Sequence, residues 1–461
     1  MVEGRTHKPV IQPDKCHTCN VCIRGCPAEL IPEYREEEDS LRGSLYRGKI
    51  AGAPGREKVP LPPCQEACPI RQDTRGYVNL IAKGKLKEAL ELIREVNPLP
   101  AVCGFICHHL CEEACLRTDV DQPVPLRLLK RFVAEYEREG KKIRRKSSKK
   151  RRGKILVIGS GPAGLAAAND LSLLGYRVTI FEALPVLGGM LAVGIPEFRL
   201  PRDILQMEID GIRNLGVEMK TSHRFHFERN GKSLQKLGFQ AAFLSIGAHR
   251  SLRLNVPGER LQGVLHGVEF LRDVNLGKEM KVGRKVAVMG GGNVAIDASR
   301  SAIRLGAETV EVYYRRSRTE MPAILEEVDE ATREGVKIYF LASPVKIIRS
   351  GEKAVGMECV RTKLGEPDGT GRKKPIPIEG SAFKVHADTI IAAIGQRVDR
   401  RALKGLSVNP DGTVRIDPET GETSLKGLFA GGDVVTGPGW AIDAIAAGKK
   451  GAESIHRYLS A

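Results

Sequence analysis

The spacing of apolar residues changes along this chain of 461 residues, and the change divides it near residue 150. Before that point, the stretches 75–96 and 125–139 carry apolar residues at helical spacing, which predicts amphipathic helices. After it, short β-branched runs alternate with alanine-rich helical stretches. That alternation is typical of parallel sheets with helices between the strands. The segment 28–63 is rich in charge, glycine and proline and is expected to be a connector.

The first of two strand–turn–helix units is "KILVIGSGPAGLAAANDLSLLGYRVTIFE", which begins at residue 154. A strand over 154–158 leads into Gly159-x-Gly161-x-x-Gly164, and a second strand ends at Glu182. The three glycines permit a tight turn, close approach to a pyrophosphate and close helix–strand packing, and the helix N-terminus supplies N–H groups for the phosphates. Glu182 can accept hydrogen bonds from ribose hydroxyls. Because the glycines lie between a strand and a helix, the unit predicts a dinucleotide site.

The second unit is "RKVAVMGGGNVAIDASRSAIRLGAETVEVYYRR", with Gly290-x-Gly292-x-x-Ala295 at its turn. Its second strand, 309–314, ends in Arg315 and Arg316 rather than in an acid. Arginine at this position can pair with a 2′-phosphate, which favours NADP(H) over NAD(H). The alternative is that both arginines simply end the strand in solvent.

The C-terminal part repeats the combination of glycines and a carboxylate. In "GLFAGGDVV", Asp433 follows a strand and two glycines, and "TGPGWAIDAIAAGKKGAESI" predicts a helix from about Trp440. This pattern resembles the two-dinucleotide-fold flavoprotein superfamily, in which such an aspartate holds the ribityl chain of FAD.

Four segments resemble one branch of that superfamily: "LGGMLAVGIPEFRLP", "GGGNVAID", "YYRRSRTEMPA" and "GPGWAIDAIAAGKKGAESI". The branch comprises the small subunit of bacterial glutamate synthase and its relatives, among them the N-terminal part of dihydropyrimidine dehydrogenase and the larger subunit of NADH-dependent ferredoxin:NADP oxidoreductase. The likeness extends from about residue 60 to the end of the sequence. It implies FAD at the first unit and a nicotinamide nucleotide at the second.

The resemblance implies an α/β protein with two Rossmann-like dinucleotide-binding domains, preceded by a helical iron–sulfur domain and a short ferredoxin-like segment. The expected ranges are 1–50 for the ferredoxin-like segment, 51–140 for the helical domain, 141–152 for a basic linker, 153–255 with 385–461 for the FAD-binding domain, and 256–384 for the NAD(P)H-binding domain. The expected cofactor-binding residues are Gly159, Gly161, Pro162, Ala163, Gly164, Glu182, Gly189, Gly247, Gly290, Gly292, Asn293, Val294, Ala295, Arg315, Arg316, Gly395, Gly432, Asp433 and Ala441.

Cysteines add a second kind of chemistry. The run "CHTCNVCIRGCP" contains Cys16, Cys19, Cys22 and Cys26 at the spacing of bacterial [4Fe–4S] ferredoxins. Zinc more often uses two separated pairs. Disulfides are disfavoured because the N-terminus lacks an apolar signal region, so a reducing cytoplasmic location is expected. In two-cluster ferredoxins the fourth cysteine of such a run binds the other cluster. The sequence therefore leaves undecided whether Cys26 binds the cluster of its own run or a second one.

The helical domain carries a second set of cysteines, and here the sequence departs from the related family. Family members begin this domain with C-x2-C-x4-C-x3-C-P, but Arg56 and Val59 stand where the first two cysteines would be. By position, the resemblance assigns Cys64 and Cys115 to the depleted cluster, Cys68, Cys107 and Cys111 to the other, and no cluster to Cys103. We hypothesise that the N-terminal run supplies the missing thiolates, which gives two or three [4Fe–4S] clusters in total.

The net charge is +17, and much of it lies in "KKIRRKSSKKRRGK", 141–154. This segment is expected to be a solvated linker, or alternatively a docking patch for an acidic protein. No apolar run is long enough to span a membrane. An acidic redox subunit or a ferredoxin is the expected partner.

The expected function is electron transfer between NAD(P)H, FAD, [4Fe–4S] clusters and a partner protein. The hydride passes between cofactors, so no catalytic acid–base pair is required. Alternatives in the same class are a glutamate synthase small subunit or the nicotinamide-oxidising subunit of a tungsten aldehyde oxidoreductase or benzoyl-CoA reductase system. A disulfide reductase is disfavoured because Cys359 is the only cysteine after residue 115. A basic nucleic-acid-binding protein is disfavoured because few aromatic residues interleave with the basic ones.

Overall fold

The computed structural model describes residues 61–137, 153–226, 233–369 and 371–460. The ferredoxin-like run and the positions of Arg56 and Val59 lie outside the described residues, as does nearly all of the basic segment 141–154.

The part before residue 150 is a bundle of short helices. The stretch 75–96, predicted as helical, forms two helices rather than one, because Gly84 adopts φ +70° and ends the first of them. Leu90 and Ile93 are fully buried, as the amphipathic spacing predicts. The helices are α1 (Pro63–Glu66), α2 (Thr74–Ala82), α3 (Leu86–Arg94), α4 (Pro100–Ile106), α5 (Leu110–Glu113) and α6 (Leu126–Glu135).

The first dinucleotide-binding domain starts with a strand at the predicted residues. Its first part contains β1 (Lys154–Ile158), α7 (Pro162–Leu173), β2 (Arg177–Phe181), α8 (Met190–Val193), α9 (Arg202–Arg213), β3 (Glu218–Lys220), α10 (Ser233–Lys236) and β4 (Ala241–Leu244).

The second domain follows as an insertion. Its elements are β5 (Arg250–Ser251), β6 (Val264–His266), α11 (Gly267–Asn275), β7 (Lys285–Met289), α12 (Asn293–Arg304), β8 (Thr309–Tyr314), α13 (Leu325–Arg333), β9 (Lys337–Phe340), β10 (Ala342–Ser350), β11 (Lys353–Pro367), β12 (Lys373–Pro377), β13 (Phe383–His386), β14 (Thr389–Ala392) and β15 (Gln396–Arg397). The chain then returns to the first domain through β16 (Leu428–Ala430), α14 (Asp433–Thr436) and α15 (Ala441–Ser460).

Two five-stranded parallel sheets form the framework. The first has the strand order β16-β4-β1-β2-β3, and the second has the order β6-β14-β7-β8-β9. In each sheet the glycine turn follows a central strand, β1 or β7, whose residues after the first are all buried. A dinucleotide at such a turn therefore lies at the carboxyl edge of the sheet. Strands β10 to β13 form a separate antiparallel sheet.

The boundary expected at residue 384/385 needs correction. Strand β14 pairs in parallel with both β6 and β7, so it belongs to the second sheet rather than to the FAD-binding domain. The chain crosses back only after it, where β15 pairs with β5 and the outgoing and returning segments run side by side. All four residues of β14 are buried, which is why this run is apolar throughout.

The helical domain and the first dinucleotide-binding domain share one hydrophobic core. The fully buried Leu99 and Val102 of the helical part belong to the same apolar cluster as Leu171 and Ile209 of the other. At this joint the buried carboxylate of Glu208, on α9, accepts the N–H groups of Ala101 and Val102 at 2.7 and 2.9 Å. Burial of these shared apolar side chains holds the two domains against each other.

Candidate functional site

The first glycine turn lies between β1 and α7. Gly159 has φ +103°, and a Cβ there would lie 2.5 Å from the carbonyl oxygen of Ser245. A Cβ on Gly164 would lie 2.0 Å from the carbonyl oxygen of Gly159, so α7 packs tightly on the turn. A Cβ on Gly161, in contrast, would meet no atom within 4 Å. The open space at Gly161 suits a pyrophosphate held by the N-terminus of α7.

A cavity of about 360 Å³ opens in front of this turn. Three parts of the chain line it: the first dinucleotide-binding domain, the second one, and the C-terminal residue of α4, Ile106. The structure therefore brings together predicted residues that are distant in sequence. Those on its wall are Gly159, Gly161, Pro162, Ala163, Glu182, Gly189, Gly247, Asn293, Val294, Gly432, Asp433 and Ala441. Those away from its wall are Gly164, Gly290, Gly292, Ala295, Arg315, Arg316 and Gly395.

Glu182 lies just after β2, at the place predicted for ribose recognition. Its carboxylate accepts hydrogen bonds from the N–H and hydroxyl of Ser160, at 2.9 and 2.6 Å, and from the N–H of Leu184 at 2.8 Å. These bonds hold the carboxylate on the cavity wall. They use part of its acceptor capacity, since a carboxylate offers about four lone-pair sites. A role in binding ribose stays a prediction.

Asp433 begins α14 and follows Gly432, whose φ is +75°. Burial raises the pKa of Asp433 to about 6, although the N–H of Gly439 hydrogen-bonds to it and acts in the opposite direction. A partly buried carboxylate on this wall can accept hydrogen bonds from a polyol. The arrangement fits the predicted contact to the ribityl chain of FAD.

The second glycine turn lies between β7 and α12. Gly290 has φ +147°, and a Cβ there would lie 2.2 Å from the carbonyl oxygen of Ala393. A Cβ on Gly292 would have its nearest neighbour 4.0 Å away, so this position is as open as Gly161. Asn293 and Val294, at the start of α12, reach the wall of the shared cavity. The two turns thus face a common space.

The two arginines after β8 have different surroundings. Arg316 is 3% exposed, and its guanidinium donates to the carboxylate of Asp368 and to the carbonyl oxygen of Lys373. Arg315 is exposed and has no carboxylate partner among the described residues. Burial of part of the side chain and the neighbouring Arg316 lower the pKa of Arg315. Only Arg315 has its guanidinium free for a phosphate.

A buried ion pair that the sequence analysis did not predict joins the two dinucleotide-binding domains at the cavity. Arg199, in the loop after α8, donates to both carboxylate oxygens of Asp297, at 3.0 and 2.8 Å. Its Nε lies 3.0 Å from Glu327 of α13. Arg199 and Asp297 also line the cavity. The pair fixes one domain against the other, and no sequence signal marks it because its members are 98 residues apart.

The described cysteines fall into two groups in space. Cys64 and Cys115 are electrostatic neighbours, and the thiol of Cys64 lies 3.0 Å from the hydroxyl of Thr74. The other group consists of Cys68, Cys107 and Cys111. The assignment of these cysteines to two clusters stays a prediction.

The thiols of the second group are largely buried. Burial raises the pKa of Cys111 to about 12; the thiols of Cys107 and Cys68 add to this, and Lys130 opposes it. All cysteines within the described ranges are free thiols. Within those ranges, no three His, Cys, Asp or Glu side chains are arranged to hold a single metal ion. A donor set of three thiols beside a buried cation suits an anionic iron–sulfur cluster better than a lone ion.

An aromatic contact connects the cysteines to the cavity. The imidazole of His108 stacks on the indole of Trp440, with ring centroids 4.3 Å apart and planes 13° from parallel. His108 directly follows Cys107, and Trp440 lines the cavity just before α15. From the sequence, Trp440 was expected only to begin a helix, and no pattern pointed to this contact with His108. Their partnership links residues that are far apart in the chain.

Comparison with protein families agrees with both halves of the molecule. Residues 153–448 match the family described as pyridine nucleotide-disulphide oxidoreductase, and residues 58–142 match dihydropyrimidine dehydrogenase domain II, 4Fe-4S cluster. These matches confirm the expected fold, with a helical iron–sulfur domain before two dinucleotide-binding domains, and the expected cofactors FAD, NADP(H) and [4Fe–4S].

Individual relatives lie in the expected branch. The chain is 44% identical to the NADP(+)-dependent formate dehydrogenase subunit beta of Moorella thermoacetica, over 91% of this chain and 63% of that protein. It is 33% identical to the glutamate synthase [NADPH] small chain of Escherichia coli, over 86% of this chain and 89% of that protein. The structure of Mycobacterium tuberculosis FprA in complex with NADPH is similar in fold, with a TM-score of 0.58 and 19% sequence identity. The similarity covers 67% of this chain and 85% of FprA.

The match covers about 63% of the length of the first of these relatives. Within the described residues, no helix combines the length and the apolar character needed to cross a bilayer.

Proposed function

Because the chain belongs to the pyridine nucleotide-disulphide oxidoreductase family, in the group that contains the glutamate synthase small chains, we propose that it is an electron-transfer subunit. It moves electrons between NADP(H) and a partner polypeptide, with FAD and [4Fe–4S] clusters as resident cofactors. The partner carries the terminal chemistry and is either another catalytic subunit or a ferredoxin. The free thiols of the described cysteines favour a reducing, cytoplasmic compartment.

One observation carries the proposal. A single cavity receives the N-termini of α7 and α12 and also Ile106, the residue before Cys107. Hydride exchange requires the two nucleotides to meet, and electron transfer onward requires a cluster close by. FAD, when bound, supplies the exchange between two-electron and one-electron transfer.

The chain's own residues have supporting roles. Gly161 leaves room for a pyrophosphate, and Asp433 offers a carboxylate to the flavin side chain. The Arg199–Asp297 pair keeps the two nucleotide folds in a fixed relation. Cys68, Cys107 and Cys111 would hold the cluster nearest the cavity.

The test is an anaerobic spectrum of the purified full-length protein. We expect flavin bands over a broad iron–sulfur absorbance, and bleaching of the flavin bands on addition of NADPH, with weaker bleaching by NADH. A colourless protein, or one whose flavin bands do not respond to either nucleotide, would contradict the proposal.

The number of clusters is proposed to be two or three, with the N-terminal run replacing the thiolates missing at Arg56 and Val59. Iron quantitation decides this, because each [4Fe–4S] cluster contributes about four irons. About eight or twelve irons per chain agree with the proposal, and about four would refute it.

A second candidate is a true glutamate synthase small chain, since the match to that protein covers 89% of its length. The departure at Arg56 and Val59 and the added cysteine run favour the first proposal. Reconstitution with a glutamate synthase large subunit separates the two: NADPH-dependent glutamate formation would support the second candidate.

A further inference from the structure

Lys130 is a buried cation without an anionic side-chain partner. It lies on α6 and is 5% exposed. Among the residues that the structure describes, none offers it a carboxylate within ion-pair distance. A buried ammonium is costly unless a negative charge compensates it, and lysine is seldom buried in proteins for that reason. Its position therefore requires a source of negative charge inside the helical domain.

The groups around Lys130 are cysteine thiols. Its ammonium interacts with Cys68, Cys103, Cys107 and Cys111, which come from the loop after α1, from α4, from the residue after it and from α5. Cys103 is expected not to bind a cluster. The other three are the proposed cluster ligands, so the ammonium lies beside the cluster site.

The backbone holds α6, and with it Lys130, in place. Helix α6 packs closely on α4, where a Cβ on Gly104 would lie 2.7 Å from the Cα of Arg131. At the start of α6, the buried hydroxyl of Tyr77 donates to the carbonyl oxygen of Leu126 at 3.0 Å. These contacts leave the helix little room to carry Lys130 away from the thiols.

We propose that Lys130 is a built-in counter-charge for the cluster held by Cys68, Cys107 and Cys111, and that it raises the reduction potential of this cluster. The inference rests on the proposed function, because it requires the cluster. Reduction adds one electron to the [4Fe–4S] core and changes its charge from 2+ to 1+, so the reduced site is the more anionic one. A fixed positive charge in a medium of low dielectric stabilises the reduced site more than the oxidised site.

The experiment is a redox titration of the full-length protein with dithionite as electron donor, followed by electron paramagnetic resonance. The signal that is lost in Cys111→Ser identifies the cluster. In Lys130→Gln we expect the ratio of reduced to oxidised cluster at a fixed potential to fall at least tenfold, about 59 mV for a one-electron couple. Lys87→Gln, the same change at a position 63% exposed in the same domain, should leave the ratio unchanged.

Lys130→Arg keeps the charge but offers no amine that could bind iron. We expect its ratio to stay within about threefold of the wild type, which is about 28 mV for one electron. The proposal is overturned if Lys130→Gln retains its iron and its potential, or if Lys130→Arg loses the cluster or shifts as much as a neutral residue. If Lys130→Gln does not fold, Lys130→Met, which is neutral and of similar length, takes its place in the titration. Absence of any iron–sulfur signal in the wild type would instead contradict the proposed function.

Discussion

Two glycines of the first turn show how single residues divide structural from binding roles. Gly164 is enclosed by the backbone of Gly159, whereas Gly161 has φ −65° and open space where a Cβ would point. Gly164 is therefore required for folding, and we propose that Gly161 serves ligand binding.

The variants Gly161→Ala and Gly164→Ala test this division. We expect Gly161→Ala to leave the melting temperature of the FAD-free protein unchanged and to lower the FAD content after purification by about tenfold or more, because the methyl group occupies space for the pyrophosphate. Gly164→Ala should lower the melting temperature itself, because a Cβ would lie 2.0 Å from a carbonyl oxygen. Equal effects of the two variants on both measurements would contradict the assignment.

We propose Arg315 as the residue on which a preference for NADPH depends. Charge-assisted hydrogen bonds contribute about 1.5–3 kcal/mol. We therefore expect Arg315→Ala to raise the KM for NADPH by about 10- to 100-fold while the KM for NADH changes little. Arg318→Ala is the control, because Arg318 is paired with Asp329 at 2.9 Å. A uniform loss for both nucleotides would indicate a structural role for Arg315 instead.

At the scale of elements, the interface between α9 and α4 contains one buried carboxylate, that of Glu208. Burial raises the pKa of Glu208 to about 7, against the opposing effect of its hydrogen bonds from Val102 and Ala101. The folded state then holds this proton more tightly than the unfolded chain. The stability that Glu208 contributes is present in full below about pH 4.5 and is lost as the pH rises through about 7.

Glu208→Gln should remove the part of the pH dependence that comes from this carboxyl. Between pH 5 and pH 8 we expect the unfolding midpoint in urea to fall more steeply for the wild type than for the variant, in which the buried Asp433 and Asp297, whose pKa values are raised to about 6, still titrate. At pH 5 the variant should be less stable by about 1–2 kcal/mol, because one backbone N–H loses its acceptor. Glu91→Gln, at a position 47% exposed on α3, should follow the wild-type slope. If Glu208→Gln shows the same pH slope as the wild type, the role of Glu208 is refuted.

Local sequence patterns predicted helices and strands better than the contacts between them. Strands β1 and β8 begin and end at the predicted residues, because a glycine turn or a charged pair limits each one in sequence. The membership of β14 in the second sheet could not be predicted, because parallel pairing is set by distant strands. The Arg199–Asp297 pair and the stack of His108 on Trp440 were missed for the same reason, since their partners meet only after folding.

On the scale of the whole molecule, charge is the property that bears on partners. A chain with net charge +17 attracts an acidic protein over longer distances than any single contact. The cysteines Cys64 and Cys115 are only partly buried, so the outer part of the helical domain is the expected side of approach.

Salt should therefore slow transfer to a protein acceptor but not to a small neutral one. With an acidic ferredoxin as acceptor, we expect kcat/KM to fall about tenfold from low to physiological ionic strength. Replacing Lys149, Lys150, Arg151 and Arg152 by glutamine should flatten the salt dependence if 141–154 is a docking patch, and leave it unchanged if that segment is only a linker. A salt-independent rate in the wild type would refute electrostatic attraction of the partner.

The stack of His108 on Trp440 has a consequence for observing the protein. Trp440 is the only tryptophan in the sequence, and it lies where the helical domain, the cavity and α15 meet. Its fluorescence is therefore a site-specific optical signal that needs no label. Flavin entering the cavity should quench the emission, and separation of the helical domain should shift it to longer wavelength. The chain thus reports the filling of its cavity and the docking of its domains through one fluorophore.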